Sequence, residues 1–360
     1  MVKVLLTLNG LFYRAAPRLR ERVERLGAEF AFLDSNRLTR QDLLTHIKDV
    51  HIYIAGVEKA DRELIDAAPG LRYIMKFGAG IDNIDVEYAN EKGILVTNAP
   101  GQNASAVADL AFGLLLSGAR SIPQSNAAVK AGLWQAAMGY ELDGKTLGLI
   151  GFGEIGKKVA RRAAGFNMNV LAYGTYKDYN AAKRLNVRFA ELDDLLEKSD
   201  FVCISTSLRP ATYHLINQEK LAKMKKTAYL INIARGEVVD ESALIQALEQ
   251  KQIRGAALDV FETEPPAARI AGLSNVICTA HIGGANHFSF GPKKKKIAEA
   301  VRQYGNLIFH QLDAGAFYAI KFSLDIIGRD GKMMNFSFLR KVVVISLDQF
   351  ELCLVSVLKA

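Results

Sequence analysis

The hexapeptide Gly151-Phe152-Gly153-Glu154-Ile155-Gly156 follows the apolar run Thr146 to Ile150 and opens directly onto the helix-like stretch Lys157 to Ala164. A glycine-rich turn between a strand and a helix is the context in which the G-x-G-x-x-G spacing carries physical meaning. Gly151 permits the tight turn, Gly153 lets backbone amides approach a pyrophosphate, and Gly156 allows the helix to lie close on the strand. Five further strand-like runs follow, in "NMNVLAYG", "DFVCIST", "TAYLINIA", "GAALDV" and "NVICTA", alternating with helical segments. Six strands in this rhythm predict a doubly wound parallel α/β sheet that binds a dinucleotide.

The first 95 residues repeat the alternation on a smaller scale. Strand-like "VKVLL", "EFAFL", "HIYIAG", "LRYIMKFG" and "GILVTNAP" are separated by amphipathic "APRLRERVERLG", "TRQDLLTHIK" and "RELIDAA". This predicts a separate small parallel α/β unit. Asn103 to Gly132 reads as helix, apolar on most faces and therefore buried. The expected organisation is a first segment at residues 1–99, a dinucleotide-binding domain at 100–287, a returning helix at 288–316 that makes the first domain discontinuous, and a tail at 317–360.

Composition fits a globular chain, with 50% hydrophobic and 23% charged residues in 360. The net charge of +8 is concentrated near the end, where His287 to Ala360 holds eleven Lys and Arg against six Asp and Glu. Lys293 to Lys296 lacks the aromatic or Gly/Arg interleaving of a nucleic-acid surface, so it reads as a solvated helix face. No run reaches the ~18 apolar residues of a membrane span, and "MVKVLLTLNG" suits a strand better than a signal peptide, so a cytoplasmic location is expected. Cys203, Cys278 and Cys353 are too few and too dispersed for disulfides or a zinc site, which makes buried thiols the expectation and no metal the reading. Trp134 reads as core or hinge packing.

The second strand of the dinucleotide unit ends at Gly174, where a carboxylate would ordinarily bond the adenosine ribose. Without that anion a 2′-phosphate meets no repulsion, and Thr175, Tyr176, Lys177 and Arg209 offer donors. NADP is therefore favoured over NAD, the alternative being that Gly174 shapes a turn and Asp178 serves NAD.

Six segments in order, "FGAGIDNID", "NAPGQNASAVADLA", "ELDGKTLGLIGFGEIGKKVA", "INIARGEVVDESAL", "GAALDVFETEPP" and "HIGG", make the chain resemble the D-isomer-specific 2-hydroxyacid dehydrogenases over about residues 50 to 315. The resemblance implies a flavodoxin-like substrate domain split between the chain ends, a cleft beside a central Rossmann domain, and a homodimer. It implies that Arg235 clamps a substrate carboxylate, that His281 exchanges a proton with the keto oxygen, and that Glu264 orients and supports the ring. Ala234 and Asp259 are implied in cofactor binding, the latter at the nicotinamide carboxamide. Lys76 stands where phosphoglycerate-oxidising members carry Arg, and Gly78, Ala79 and Gly80 form a backbone nest suited to a carboxylate.

The implied reaction moves a hydride between NAD(P)(H) and a small 2-hydroxy or 2-keto acid, with 3-phosphoglycerate or hydroxypyruvate and glyoxylate as candidates. A redox-sensing binding protein on the same fold is the competing class. Departures from the family pattern include Ser205 and Ser207, Asp109, Asn286, and everything after about Gly315.

Overall fold

In the computed structural model residues 1–16, 18–285, 324–327 and 333–336 are described. The chain divides into two compact units, Met1–Pro100 with Phe290–Ala360, and Gly101–Ser289.

The first unit holds β1 (Val2–Leu8), β2 (Ala28–Asp34), β3 (Ile52–Ala55), β4 (Tyr73–Lys76) and β5 (Leu95–Thr97), in the spatial order β2-β1-β3-β4-β5 with every pair parallel. This is the flavodoxin-like order. β3 and β4 are buried throughout because helices cover both faces, which is why their sequences read as unbroken apolar runs. The intervening helices are α1 (Gly10–Arg14), α2 (Leu19–Glu24), α3 (Arg40–His46), α4 (Arg62–Asp66) and α5 (Val86–Glu91). Side-chain caps start four of them: Asn9, Thr39 with Asp42 in a capping box, Asp61 and Asp85. α1 and α5 escape periodicity arguments because a single turn shows no repeat. α1 is set instead by the Asn9 cap and by Gly10 N donating to Asp34 Oδ1 at 3.0 Å.

The second unit begins with α6 (Ala104–Arg120) and α7 (Ile122–Lys130). The single helical reading of this stretch breaks at Ser121, which adopts φ 50° just ahead of Pro123. α6 buries ten residues, whereas α7 buries none. The unit continues through β6 (Thr146–Ile150), α8 (Glu154–Ala164), β7 (Asn169–Tyr173), α9 (Tyr179–Arg184), β8 (Val187–Phe189), α10 (Leu192–Lys198) and β9 (Phe201–Ile204). It closes with α11 (Gln218–Lys223), β10 (Tyr229–Asn232), α12 (Glu241–Glu249), β11 (Gly255–Leu258), α13 (Ala268–Ala271) and β12 (Val276–Cys278).

The strand order β12-β11-β10-β9-β6-β7-β8 is parallel throughout and reverses direction between β6 and β9, as a doubly wound sheet requires. Seven strands stand where six are read from sequence. β8 has three residues, one of them exposed, too few to show alternation.

Two expectations are corrected. Trp134 is 90% exposed and packs in no core, because it follows a helix whose whole surface faces outward. Cys203 is buried as expected, but Cys278 at the end of β12 is exposed. Of the tail, β13 (Leu324–Ile327) and β14 (Met333–Phe336) pair antiparallel. The lysine run, Cys353, Asn286 and the helix read at 288–316 lie outside the described residues. Among the described residues no single helix is long and apolar enough to cross a membrane.

Contact between α6 and the sheet depends on two glycines. A Cβ at Gly118 would stand 2.5 Å from the Tyr229 ring, and one at Gly255 would meet the other edge of that ring at the same distance. With both edges hemmed, the ring has nowhere to retreat. Gly118→Ala should therefore destabilise the protein by about 1–2 kcal/mol in urea unfolding, the overpacking of the ring outweighing the roughly 1 kcal/mol of helix propensity that alanine adds. A stabilised variant would show that the ring is free to move.

Candidate active site

The fingerprint loop sits at the point where the sheet reverses. Gly151, at φ 102°, follows β6, and Ser205 follows β9; the Ser205 hydroxyl donates to the Gly151 carbonyl at 2.9 Å. A Cβ at Gly151 would strike the backbone of Ser205 and Thr206 at under 3 Å, and one at Gly156 would strike the Gly151 carbonyl at 2.3 Å. Gly153 differs: a Cβ there would meet nothing within 4 Å. The two outer glycines thus close the turn on itself, and the middle one faces open space at the start of α8.

Gly153 is the N-cap of α8 and offers no side-chain cap, so the amides of Glu154, Ile155 and Gly156 remain available to an anion. Those features fit a dinucleotide pyrophosphate. Phe152 is buried among α8 and β7 residues and meets Phe189 edge-on. Asp109 on α6 pins the helix by accepting from Arg162 Nε at 2.8 Å.

At the end of β7, Gly174 approaches the backbone of Gly151 and Phe152. Asp178, four residues on, is engaged elsewhere. One carboxylate oxygen accepts from Ala181 N at 2.9 Å and caps α9, and the other pairs with Lys157 Nζ at 2.9 Å. The hydrogen bond from Lys157, then that from Ala181, hold its carboxyl below the usual range. Thr175 and Tyr176 are exposed beside it, and Lys177 lies 3.7 Å from Glu191.

Arg235, Glu264 and His281 come together at the carboxyl ends of β10, β11 and β12. Arg235 leaves β10 on a turn shaped by Asn232, whose side chain accepts from Ala234 N at 3.1 Å and donates to Arg235 O at 2.9 Å. Asn232 is almost fully buried, and sequence reading passed over it; a lone amide inside "YLINIA" was its available signal. The next residue, Gly236, lies so close to Phe261 that a Cβ would stand 1.9 Å from its carbonyl carbon. That contact brings the Arg235 turn against the segment bearing Glu264.

Glu264 Oε2 lies 3.0 Å from His281 Nδ1, and Oε1 accepts from Phe261 N. Burial opposes ionisation of this carboxyl, but the His281 hydrogen bond, the Phe261 amide and the Arg235 charge outweigh it and keep its pKa below the ordinary value.

His281 has φ 51°, a left-handed backbone that a non-glycine residue holds only under external restraint. Asp259 supplies the restraint. Its carbonyl accepts from His281 N at 3.0 Å, while its carboxylate accepts from Thr279 Oγ1 at 2.6 Å, Ile282 N at 2.8 Å and Gly283 N at 2.8 Å. At 1% exposure, this carboxylate has its water replaced by three donors of its own chain.

In the first unit, Gly78, Ala79 and Gly80 follow β4 in a loop tied to β5's exit by Asn98 Nδ2 donating to Ala79 O at 2.6 Å and Ala99 N donating to Gly78 O at 2.8 Å. Lys76, at the end of β4, turns inward. It is 8% exposed, and its Nζ donates to the Gly56 carbonyl and to Asn83 Oδ1.

Residues 112–283 match the sequence profile described as the D-isomer specific 2-hydroxyacid dehydrogenase, NAD binding domain. A glyoxylate reductase of Pyrococcus horikoshii is 44% identical over 272 residues, covering 72% of this chain and 80% of the relative. The chain belongs to the D-isomer-specific 2-hydroxyacid dehydrogenase family. A D-3-phosphoglycerate dehydrogenase of Methanocaldococcus jannaschii is 42% identical, covering 74% of this chain and 52% of its own. Among solved structures, D-lactate dehydrogenase from Aquifex aeolicus complexed with NAD and lactic acid has a TM-score of 0.75 at 29% identity, covering 87% of this chain and 98% of that one. An acyclic imino acid reductase in complex with NADPH and D-Arg has a TM-score of 0.74 at 25% identity, covering 85% and 98%. This dehydrogenase is thus an NAD(P)-dependent oxidoreductase of 2-hydroxy acids.

Removing the Asp259 carboxylate frees the 279–283 loop and the strained His281 backbone. Asp259→Ala should cut turnover in keto-acid reduction by about a hundredfold, since an ångström of misplacement at the reacting atoms costs that much. Turnover like that of the parent protein in steady-state assays would remove Asp259 as the anchor.

Proposed function

We propose that the protein reduces a small unphosphorylated 2-keto acid of the glyoxylate or hydroxypyruvate type, with NADPH as its preferred hydride donor. The observation that carries this reading is the 3.0 Å hydrogen bond between His281 and Glu264 with the Arg235 charge beside it. When bound, the reduced nicotinamide supplies the hydride. Arg235 holds the substrate carboxylate with its planar fork and polarises the adjacent carbonyl. His281 gives its Nε2 proton to the keto oxygen as charge develops there, and Glu264, bonded to Nδ1, orients the ring and offsets its positive charge.

Two observations support the choice of substrate and cofactor. The Lys76 ammonium, the group that would meet a substrate phosphate, is already bonded to Gly56 and Asn83, which disfavours 3-phosphoglycerate. The Asp178 carboxylate is tied to Lys157, which offsets its charge, and to the start of α9, while Thr175 and Lys177 can donate to a 2′-phosphate.

A homodimer is also proposed, formed through the dinucleotide-binding unit. Ile122, Val129, Leu133, Trp134 and Met138 are all exposed within 17 residues, an apolar concentration that an isolated unit would leave in water.

His281→Ala and Arg235→Ala are each expected to lower kcat/KM for glyoxylate or hydroxypyruvate by at least about a hundredfold, followed by absorbance with NADPH and NADH. Glu264→Gln should mainly move the alkaline limb of the reduction pH profile to lower pH, since an amide lacks the negative charge that supports a protonated ring. Undiminished activity in either alanine variant, or a hundredfold preference for NADH, would end the respective assignment. For the dimer, light scattering after size-exclusion chromatography should show two chains for the parent protein and one for the Trp134→Glu, Met138→Glu double variant; a parent monomer refutes it.

A further inference from the structure

The second unit contains a cavity of about 150 Å³ at the end of the sheet opposite the catalytic residues. Lys145 and Arg254 directly precede β6 and β11, Asp200 directly precedes β9, and Tyr229 is the first residue of β10. The other ends of those four strands carry Gly151, Asp259, Ser205 and Arg235. The cavity is therefore separated from the cofactor loops by the length of the strands. At about 30 Å³ for each water, it has room for roughly five, or for a small organic or inorganic anion.

Its lining is rich in donors and poor in free acceptors. The Asp200 carboxylate is engaged by Lys225 Nζ at 2.9 Å and Thr146 N at 2.9 Å. The Arg254 guanidinium lies flat over the Tyr140 ring, 3.9 Å from its centroid, which fixes its place without using its N–H groups. Among the described residues neither Arg254 nor Lys145 forms an ion pair through its side chain. Tyr229 is 5% exposed, with its ring gripped between Gly118 and Gly255, and its hydroxyl has no hydrogen-bond partner among the described residues. Burial pushes that phenol up to about 12 despite the Arg254 charge, so it stays protonated and able to donate. The phenol oxygen is not among the fully enclosed unpaired polar atoms and so opens onto the cavity, where Arg254 and Lys145 bring two positive charges and the one carboxylate, Asp200, is already bonded twice. A ligand with two or more acceptor oxygens and a negative charge can pair with all three donors at once.

We infer that this cavity is a binding site for a small oxyanion, phosphate or a short carboxylate, held by Arg254, Lys145 and the Tyr229 hydroxyl. The site is distinct from the one that takes substrate and cofactor, and its occupation does not depend on which 2-keto acid is reduced.

The test is calorimetric titration of the full chain saturated with NADPH, with inorganic phosphate in one arm and acetate in the other, at constant ionic strength. Saturable binding in either arm is expected, and the arm that responds identifies the chemistry. Arg254→Met should weaken it by about tenfold or more and Tyr229→Phe by about threefold, the latter removing a hydroxyl while preserving the ring and the fold. Arg235→Met should leave it unchanged. Absence of saturable binding in both arms overturns the inference. So does binding that survives Arg254→Met and Tyr229→Phe but is lost in Arg235→Met, which locates the anion at the catalytic residues.

Discussion

Everything at the catalytic end of the second unit hangs on the carboxylate of Asp259. A charge at 1% exposure is tolerable only when hydrogen bonds replace its water, and the three donors that do so all come from the loop carrying His281. The same contact holds a histidine backbone in the left-handed region, so the loop cannot relax without uncovering the charge. Fixing His281 in turn fixes Glu264, whose own segment is pressed against Gly236 at the exit of β10. One buried anion thereby sets the geometry of an imidazole, a carboxylate and a guanidinium contributed by three strands.

The cofactor end obeys a different constraint, that of close approach between backbones. Gly151 and Gly156 are where any side chain would collide with the neighbouring chain, and Gly153 is where one would enter the space facing the first amides of α8. Ser205, a departure from the family's pattern, is accommodated by a hydrogen bond to Gly151, so the exchange keeps β6 and β9 tied at the reversal of the sheet. Asp178 illustrates how little a carboxylate's place in the sequence says about its use: four residues beyond the strand, it serves a lysine and a helix end.

Strand and helix alternation was readable because buried parallel strands need continuous apolar runs, and β3, β4, β9, β10 and β11 supply them. β8, α1 and α5 were not, since three to six residues carry no period. Arg235, Glu264 and His281 could be named from their motifs, whereas Asn232, which shapes the turn before Arg235, could not be distinguished from a strand residue. Trp134 and Cys278 were misjudged for one reason: an apolar or thiol side chain in an apolar neighbourhood of sequence is not thereby inside, because burial depends on what packs opposite.

By itself the sequence determined the alternating α/β architecture, the glycine turn and the family, since these follow from local periodicity, from backbone sterics and from motif order. The tertiary structure alone decided that Asp259 restrains the histidine loop, that Lys76 turns inward, that Asp178 is withdrawn by Lys157, and that a donor-lined cavity lies at the amino ends of the strands. Each of these is a contact between groups 20 or more residues apart, except for Lys76 and Asn83, where the fold of the intervening loop makes the choice. Hydrogen-bond partners at such separations are selected by how the sheet is ordered, and strand order is not written in any local stretch of chain.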